Sequence, residues 1–146
     1  MAAVAHYIEV GAPAQACYDW WRPLTRLPEI MSDVRRVTAR DGDERVTTWQ
    51  VSGPLGSTVA WTARITDDAP PHRLAWATVD DADNDVRTSG EVRFTDKGNG
   101  RTGVAISLEF VPPGGKLGTA VATVFDDPKR MVVQAAEDFK TIIEMR

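Results

Sequence analysis

Apolar and polar positions alternate through most of the middle of this chain. Between Thr58 and Thr66, Val59, Trp61, Ala63 and Ile65 fall on one parity, and Thr58, Ala60, Thr62 and Arg64 on the other. A period of two marks a strand with one buried face. The same rhythm puts Leu74, Trp76 and Thr78 on one face over 73–79. It puts Gly90, Val92 and Phe94 on one face over 86–95, and Val104, Ile106, Leu108 and Phe110 on one face over 101–111. Strands over 34–40 and 44–51 flank Asp41-Gly42-Asp43, a hairpin signal because glycine accepts a positive φ. His6, Ile8 and Val10 share the buried face of a first short strand. The segments 67–71 and 96–100 read as turns.

The spacing changes at both ends of the chain. Pro13 suits the first turn of a helix over 14–21, which Pro23 stops, and Pro28 opens a second short helix over 28–32. Pro112-Pro113-Gly114-Gly115 ends the strands. Leu117, Val121 and Val124 then recur at helical spacing. Asp127 fits an N-cap with Pro128 behind it, and Val132, Ala135, Ala136, Phe139, Ile142 and Ile143 form an apolar stripe. We expect one long C-terminal helix, kinked near Asp127-Pro128. These elements predict an α+β fold: a curved antiparallel sheet of about six or seven strands around that helix, enclosing a cavity.

Composition narrows the function. At 146 residues the chain is one domain, 1–146, with room for a core and a pocket. A formal charge of −4 without a basic cluster argues against nucleic acid as a partner. No apolar run reaches the roughly 20 residues of a membrane span. Residues 1–9 turn polar too quickly for a signal peptide, so a cytoplasmic location is expected. The single cysteine excludes an internal disulfide.

Several segments carry a family resemblance. They are Ala12-Pro13 running into the short helix, the aromatic Trp21, Leu27-Pro28 with Ile30-Met31, and Trp61-x-Ala63-x-Ile65 followed by Pro71 and Leu74-Ala75-Trp76. Asp127-Pro128 through Phe139-Lys140 and Glu144 complete the set. Together they resemble the SRPBCC superfamily, with its START-like or helix-grip fold, and within it the bacterial polyketide cyclase/dehydrase group. The resemblance spans nearly the whole chain. It implies a curved sheet, a long terminal helix and an internal pocket for a hydrophobic molecule.

The candidate ligand-binding residues follow from strand parity. Trp49, Trp61 and Trp76 fall on the concave face, where they serve either as core packing or as a stacking wall for a planar ligand. Thr47, Thr78 and Thr88 share that face, and a buried hydroxyl needs a partner, local or on a ligand. Val92, Phe94, Ile106, Leu108 and Val121 complete the expected lining. Arg64 lies on the outer face; Arg73, Arg87, Arg93 and Arg101 read the same way, paired with Glu91 or Glu109 across strands.

Other chemistry is sparse. His6 and His72 have no neighbours at metal-ligand spacing, so no metal is expected. Cys17 falls on the face of Ala14 and Trp21 and reads as core. The acidic run 80–85 lacks the glycine and closing glutamate of a calcium loop. Gly114, Gly115 and Gly118 do not follow a dinucleotide pattern, and no cofactor is expected.

Two functions fit this reading. The first is a polyketide cyclase/dehydrase-like enzyme that promotes aldol cyclisation and dehydration. The second is a non-catalytic carrier of a lipid, quinone or similar apolar metabolite. An interaction module is a third, weaker reading, and a homodimer stays open.

Overall fold

A computed structural model describes residues 2–52, 56, 58–79, 87–111 and 128–145. Seven strands form a single sheet: β1 (Ala2–Val10), β2 (Val34–Arg40), β3 (Asp43–Ser52), β4 (Thr58–Ala69), β5 (Arg73–Thr78), β6 (Arg87–Gly98) and β7 (Arg101–Val111). The order is β1-β7-β6-β5-β4-β3-β2, and every pair is antiparallel. Helix α1 (Ala14–Trp21) and a 3-10 turn (Leu27–Glu29) separate β1 from β2, and helix α2 (Pro128–Glu144) ends the fold. This is the α+β helix-grip architecture expected from the alternation.

The alternation works as predicted. In β4 the concave side chains Trp61, Ala63 and Ile65 are buried while Arg64 is exposed. Val92 and Phe94 of β6 are likewise buried opposite Ile106 and Val104 of β7. Helix α2 lays Val132, Ala135, Ala136, Phe139 and Ile143 into the same core.

Polar contacts fasten α2 to β1. Lys140 Nζ donates to the Glu9 carbonyl at 3.0 Å and pairs with Glu144 at 2.7 Å. The Gly11 N–H donates to Glu144 Oε2 at 2.6 Å, and Lys129 donates to the Ala5 carbonyl. The Lys140 ammonium, then the Gly11 N–H, hold the Glu144 carboxyl below its ordinary value of 4.5. A depressed folded-state value stabilises the protein above the unfolded value and is lost as pH falls through the folded one. We expect Glu144→Gln to lower the melting temperature most near neutral pH. The gap from the parent should close as pH falls below the ordinary value of 4.5. A gap that is constant with pH would assign the contact no electrostatic part.

Several expectations need correction. The turn expected over 67–71 falls instead on 70–72. Strand β4 runs on to Ala69 past a bulge between Ile65 and Asp67. That extra residue turns Asp68 onto Tyr18 and Arg22, whose polar groups reward the extension. The short helix expected over 28–32 is only the 3-10 turn Leu27–Glu29, since Leu27 is buried and closes the turn through the Ile30 N–H. The turn expected over 96–100 is confined to Asn99 and Gly100, because β6 continues to Gly98 and pairs it with Arg101. Strand β1 also begins earlier than His6, at Ala2. The helical segment expected over 116–125, Val121 included, lies outside the described residues, as do Asp127 and the acidic run 80–85. Ion pairing on the outer face is partly redistributed. Glu91 takes both Arg73 and Arg93, while Arg101 pairs with Glu9 and Arg64 with Asp43.

Candidate ligand site

The concave face of the sheet carries a stack of four indoles. Trp49 and Trp61 stand directly opposite one another on β3 and β4, a cross-strand aromatic pair. Their rings are 5.7 Å apart and 19° from parallel. Trp76 of β5 stacks on Trp49 at 6.2 Å, and Trp21 stacks on Trp76 at 6.3 Å. Trp21 reaches the stack because α1 buries the face that carries Cys17, Tyr18, Trp20 and Trp21. Behind it, Trp20 and Phe139 close the aromatic cluster, with Phe139 5.2 Å from Trp20 and 5.8 Å from Trp21. Aromatic pairs in this range each add about 0.5–1.5 kcal/mol beyond their buried area.

Two residues set the position of the stack. The Trp49 indole N–H donates to Thr47 Oγ1 at 2.8 Å, and both side chains are buried. Trp76 faces Gly90 across β5 and β6. A Cβ at position 90 would lie 2.3 Å from Trp76 Cζ2, so the indole rests on bare backbone.

The stack borders an apolar cleft of about 30 Å³. Trp49, Trp61 and Trp76 form one part of its lining, and Met31, Val34, Leu108 and Met131 another. Thr88 supplies a hydroxyl, and Ser89 and Glu109, paired across β6 and β7, stand at the rim. By strand alternation the side chains of Ser89 and Glu109 belong to the outer face, opposite to Thr88 and Leu108. The inner lining is therefore indole, aliphatic and thioether, with one hydroxyl. About 10–15 Å³ holds one water, whereas a cavity of about 150 Å³ holds benzene. In this conformation the cleft fits water but no aromatic ring.

The residues expected from the sequence separate into three groups. Trp49, Trp61, Trp76, Thr88 and Leu108 come together at the cleft. Thr47 and Thr78 spend their hydroxyls inside the protein, Thr47 on Trp49 and Thr78 on Thr88. Thr78 Oγ1 accepts from the Thr88 N–H at 2.8 Å and donates to the Thr88 carbonyl at 3.1 Å, closing the end of β5 and β6. Val92, Phe94 and Ile106 are buried in the core away from the cleft lining, with Phe94 edge-on to Tyr18 at 6.5 Å. Sequence reasoning missed Met31, Val34 and Met131. Met131 falls one turn before Ala135 on the buried stripe, a spacing that marks it in the sequence.

Burial pushes the Cys17 thiol up to about 11, with no exposed surface at the residue. We expect a thiol reagent at about pH 8 to modify Cys17 only as fast as the protein unfolds. Rapid modification of the folded protein would show the thiol to be accessible. Among the described residues no three His, Cys, Asp or Glu side chains assemble a metal site. A second polar cluster joins Tyr18, Asp68, Arg22 and Glu44, with Arg22 Nε 2.9 Å from Asp68. It ties α1 to the bulge in β4, and none of its four residues lines the cleft. Burial, then the Asp68 carboxylate, push the Tyr18 hydroxyl up to about 12.

Known proteins place this geometry in a family. The family model described as "Polyketide cyclase / dehydrase and lipid transport" matches residues 10–137. An uncharacterized 17.2 kDa protein of Streptomyces lincolnensis is 31% identical over 148 residues, covering 100% of this chain and 92% of its own. A solved structure from Deinococcus radiodurans is 30% identical with a TM-score of 0.78, covering 99% of this chain and 98% of its own. The Zhui aromatase/cyclase from Streptomyces sp. R1128 shares the fold at a TM-score of 0.76 and 20% identity, covering 99% of this chain and 94% of its own. A START superfamily protein from Mycobacterium smegmatis shares it at 0.69 and 12%, covering 98% and 97%. With the family model matched from the end of β1 into α2, the chain belongs to the polyketide cyclase/dehydrase and lipid transport family.

Proposed function

We propose that this protein binds a flat, apolar, aromatic or polyketide-like molecule against Trp49, Trp61 and Trp76 and promotes its aldol cyclisation and dehydration. The observation that carries the reading is the cleft itself: three indoles and an otherwise aliphatic wall, with one inward hydroxyl, under the sheet of a polyketide cyclase/dehydrase family member. The faces of Trp49 and Trp76 are taken within the stack, so these two indoles present edges to a planar chain while Trp61, at the end of the stack, would meet it face-on, and the aliphatic wall excludes water. Holding an enol carbon near a carbonyl carbon converts cyclisation into a positioned intramolecular step, which is where most of the gain would arise. Thr88 Oγ1, which lies 3.4 Å from Thr78 Oγ1, would donate to the carbonyl oxygen. No ionisable side chain among the described residues points into the cleft, so an ordered water would carry the proton. The reading keeps the protein cytoplasmic and independent of a cofactor.

That same lack of ionisable groups favours a second reading, a carrier for a lipid or quinone. One experiment separates the two. A reactive poly-β-ketone chain, released in the presence and absence of the protein, should yield a larger share of cyclised, dehydrated aromatic product with the protein present. Trp61→Ala should return the distribution toward the spontaneous one. A protein that binds the chain yet leaves the distribution unchanged is a carrier.

A further inference from the structure

We infer that Trp76, seated on Gly90, is the size-determining residue of the ligand site: the depth to which this indole sinks sets how many fused rings the cleft accepts. The inference rests on the proposed site and goes further, because it assigns ligand size to one pair of residues.

Trp76 is the interior member of the indole stack and borders the cleft at the same time. Trp21 covers it on one side and Trp49 on the other, and it is 2% exposed. Trp49 cannot yield easily, since its N–H is tied to Thr47 and Trp61 lies against it. The floor of the cleft is therefore fixed by how low Trp76 sits. It sits as low as a strand allows. A Cβ at position 90 would meet Trp76 Cζ2 at 2.3 Å, Cε2 at 2.5 Å and Nε1 at 2.9 Å. Ordinary contact begins near 3.4 Å, so any other residue at 90 would lift the indole by about 1 Å. A cleft of about 30 Å³ would not survive that lift.

The remaining lining supplies the give. Met31 and Met131 are unbranched thioethers, the most adaptable apolar side chains. Met131 also borders a surface cleft of about 360 Å³ with Ile30, Asp33 and Gln134, so it has open space to move into. A ring enters by displacing methionine, and it stops at indole. The two halves of the pair thus act in opposite directions. Removing the Trp76 ring adds the space of a two-ring system to the cleft. Adding a methyl at Gly90 takes space away. A tryptophan that served the core alone would lose stability in both variants without reordering ligands by size.

The test uses phenol, naphthol and anthrol as one-, two- and three-ring probes, measured by calorimetry. The proteins are the parent, Trp76→Ala, Trp76→Phe and Gly90→Ala, each checked for a cooperative melt. We expect Trp76→Ala to favour anthrol over phenol by about tenfold more than the parent does. Trp76→Phe, which keeps an aromatic ring on Gly90, should shift the same way by less, and it carries the test if the alanine variant does not fold. Gly90→Ala should weaken the larger probes by about tenfold relative to phenol. If the parent binds the series and all variants keep its ring preference, the size assignment is overturned while the site stands. If the parent binds none of the three, the site reading itself falls, and the inference with it.

Discussion

Replacing Phe139 with alanine is expected to cost about 3–5 kcal/mol of folding stability. The side chain has no exposed surface, and its ring packs against both Trp20 and Trp21. It is the point where α2 meets the aromatic cluster, so its loss leaves a cavity bounded by large rings that cannot collapse onto alanine. Large cavities that resist collapse give the upper end of the range. Urea denaturation of the two proteins measures the difference. A loss under about 1 kcal/mol would mean that the α2 stripe is not buried as described.

Trp49→Ala should cost a similar amount, about 3–5 kcal/mol, for a different reason. Trp49 has an indole on each face, Trp61 at 5.7 Å and Trp76 at 6.2 Å, so its removal breaks the stack in the middle. It also strands the Thr47 hydroxyl, which is 1% exposed and accepts the Trp49 N–H. Leaving a buried hydroxyl unpaired costs about 1–3 kcal/mol by itself. The double variant Trp49→Ala with Thr47→Val should therefore recover part of the loss. Stability that falls further in the double variant would show that the hydroxyl has another partner that matters more.

The sheet was legible in the sequence because period-two alternation reports directly which side chains face the core. Trp61, Ala63 and Ile65 against Arg64 is such a case, and every strand expected over 34–111 is present. The indole stack was not legible. Parity puts Trp49, Trp61 and Trp76 on one face, but their contacts depend on register: Trp49 opposite Trp61, Trp76 opposite Gly90. Register at β4 and β5 in turn depends on the bulge after Ile65, which the acidic pair Asp67-Asp68 disguised as a turn. The partners that explain Asp68, Tyr18 and Arg22, are 50 and 46 residues away. Strand parity also could not tell cleft from core. Val92 and Ile106 share a face with Trp76, yet they are paired across β6 and β7 in the core and do not line the cleft. Met31 belongs to a segment that carries no alternation, and the helical spacing that puts Met131 on the buried stripe of α2 does not say which strands it meets.

The central claim is that the concave indole face receives the ligand. The direct measurement is a tryptophan-fluorescence titration with dihydroxyanthraquinone on the parent, Trp61→Ala and Arg64→Ala. Trp61 borders the cleft, whereas Arg64, three residues along the same strand, is exposed and pairs with Asp43 at 3.9 Å. The parent should show saturable quenching. Trp61→Ala should weaken binding at least about fivefold, the loss of one aromatic contact worth roughly 1 kcal/mol, and Arg64→Ala should leave it unchanged. Equal effects of the two substitutions, or quenching that never saturates, would contradict the account.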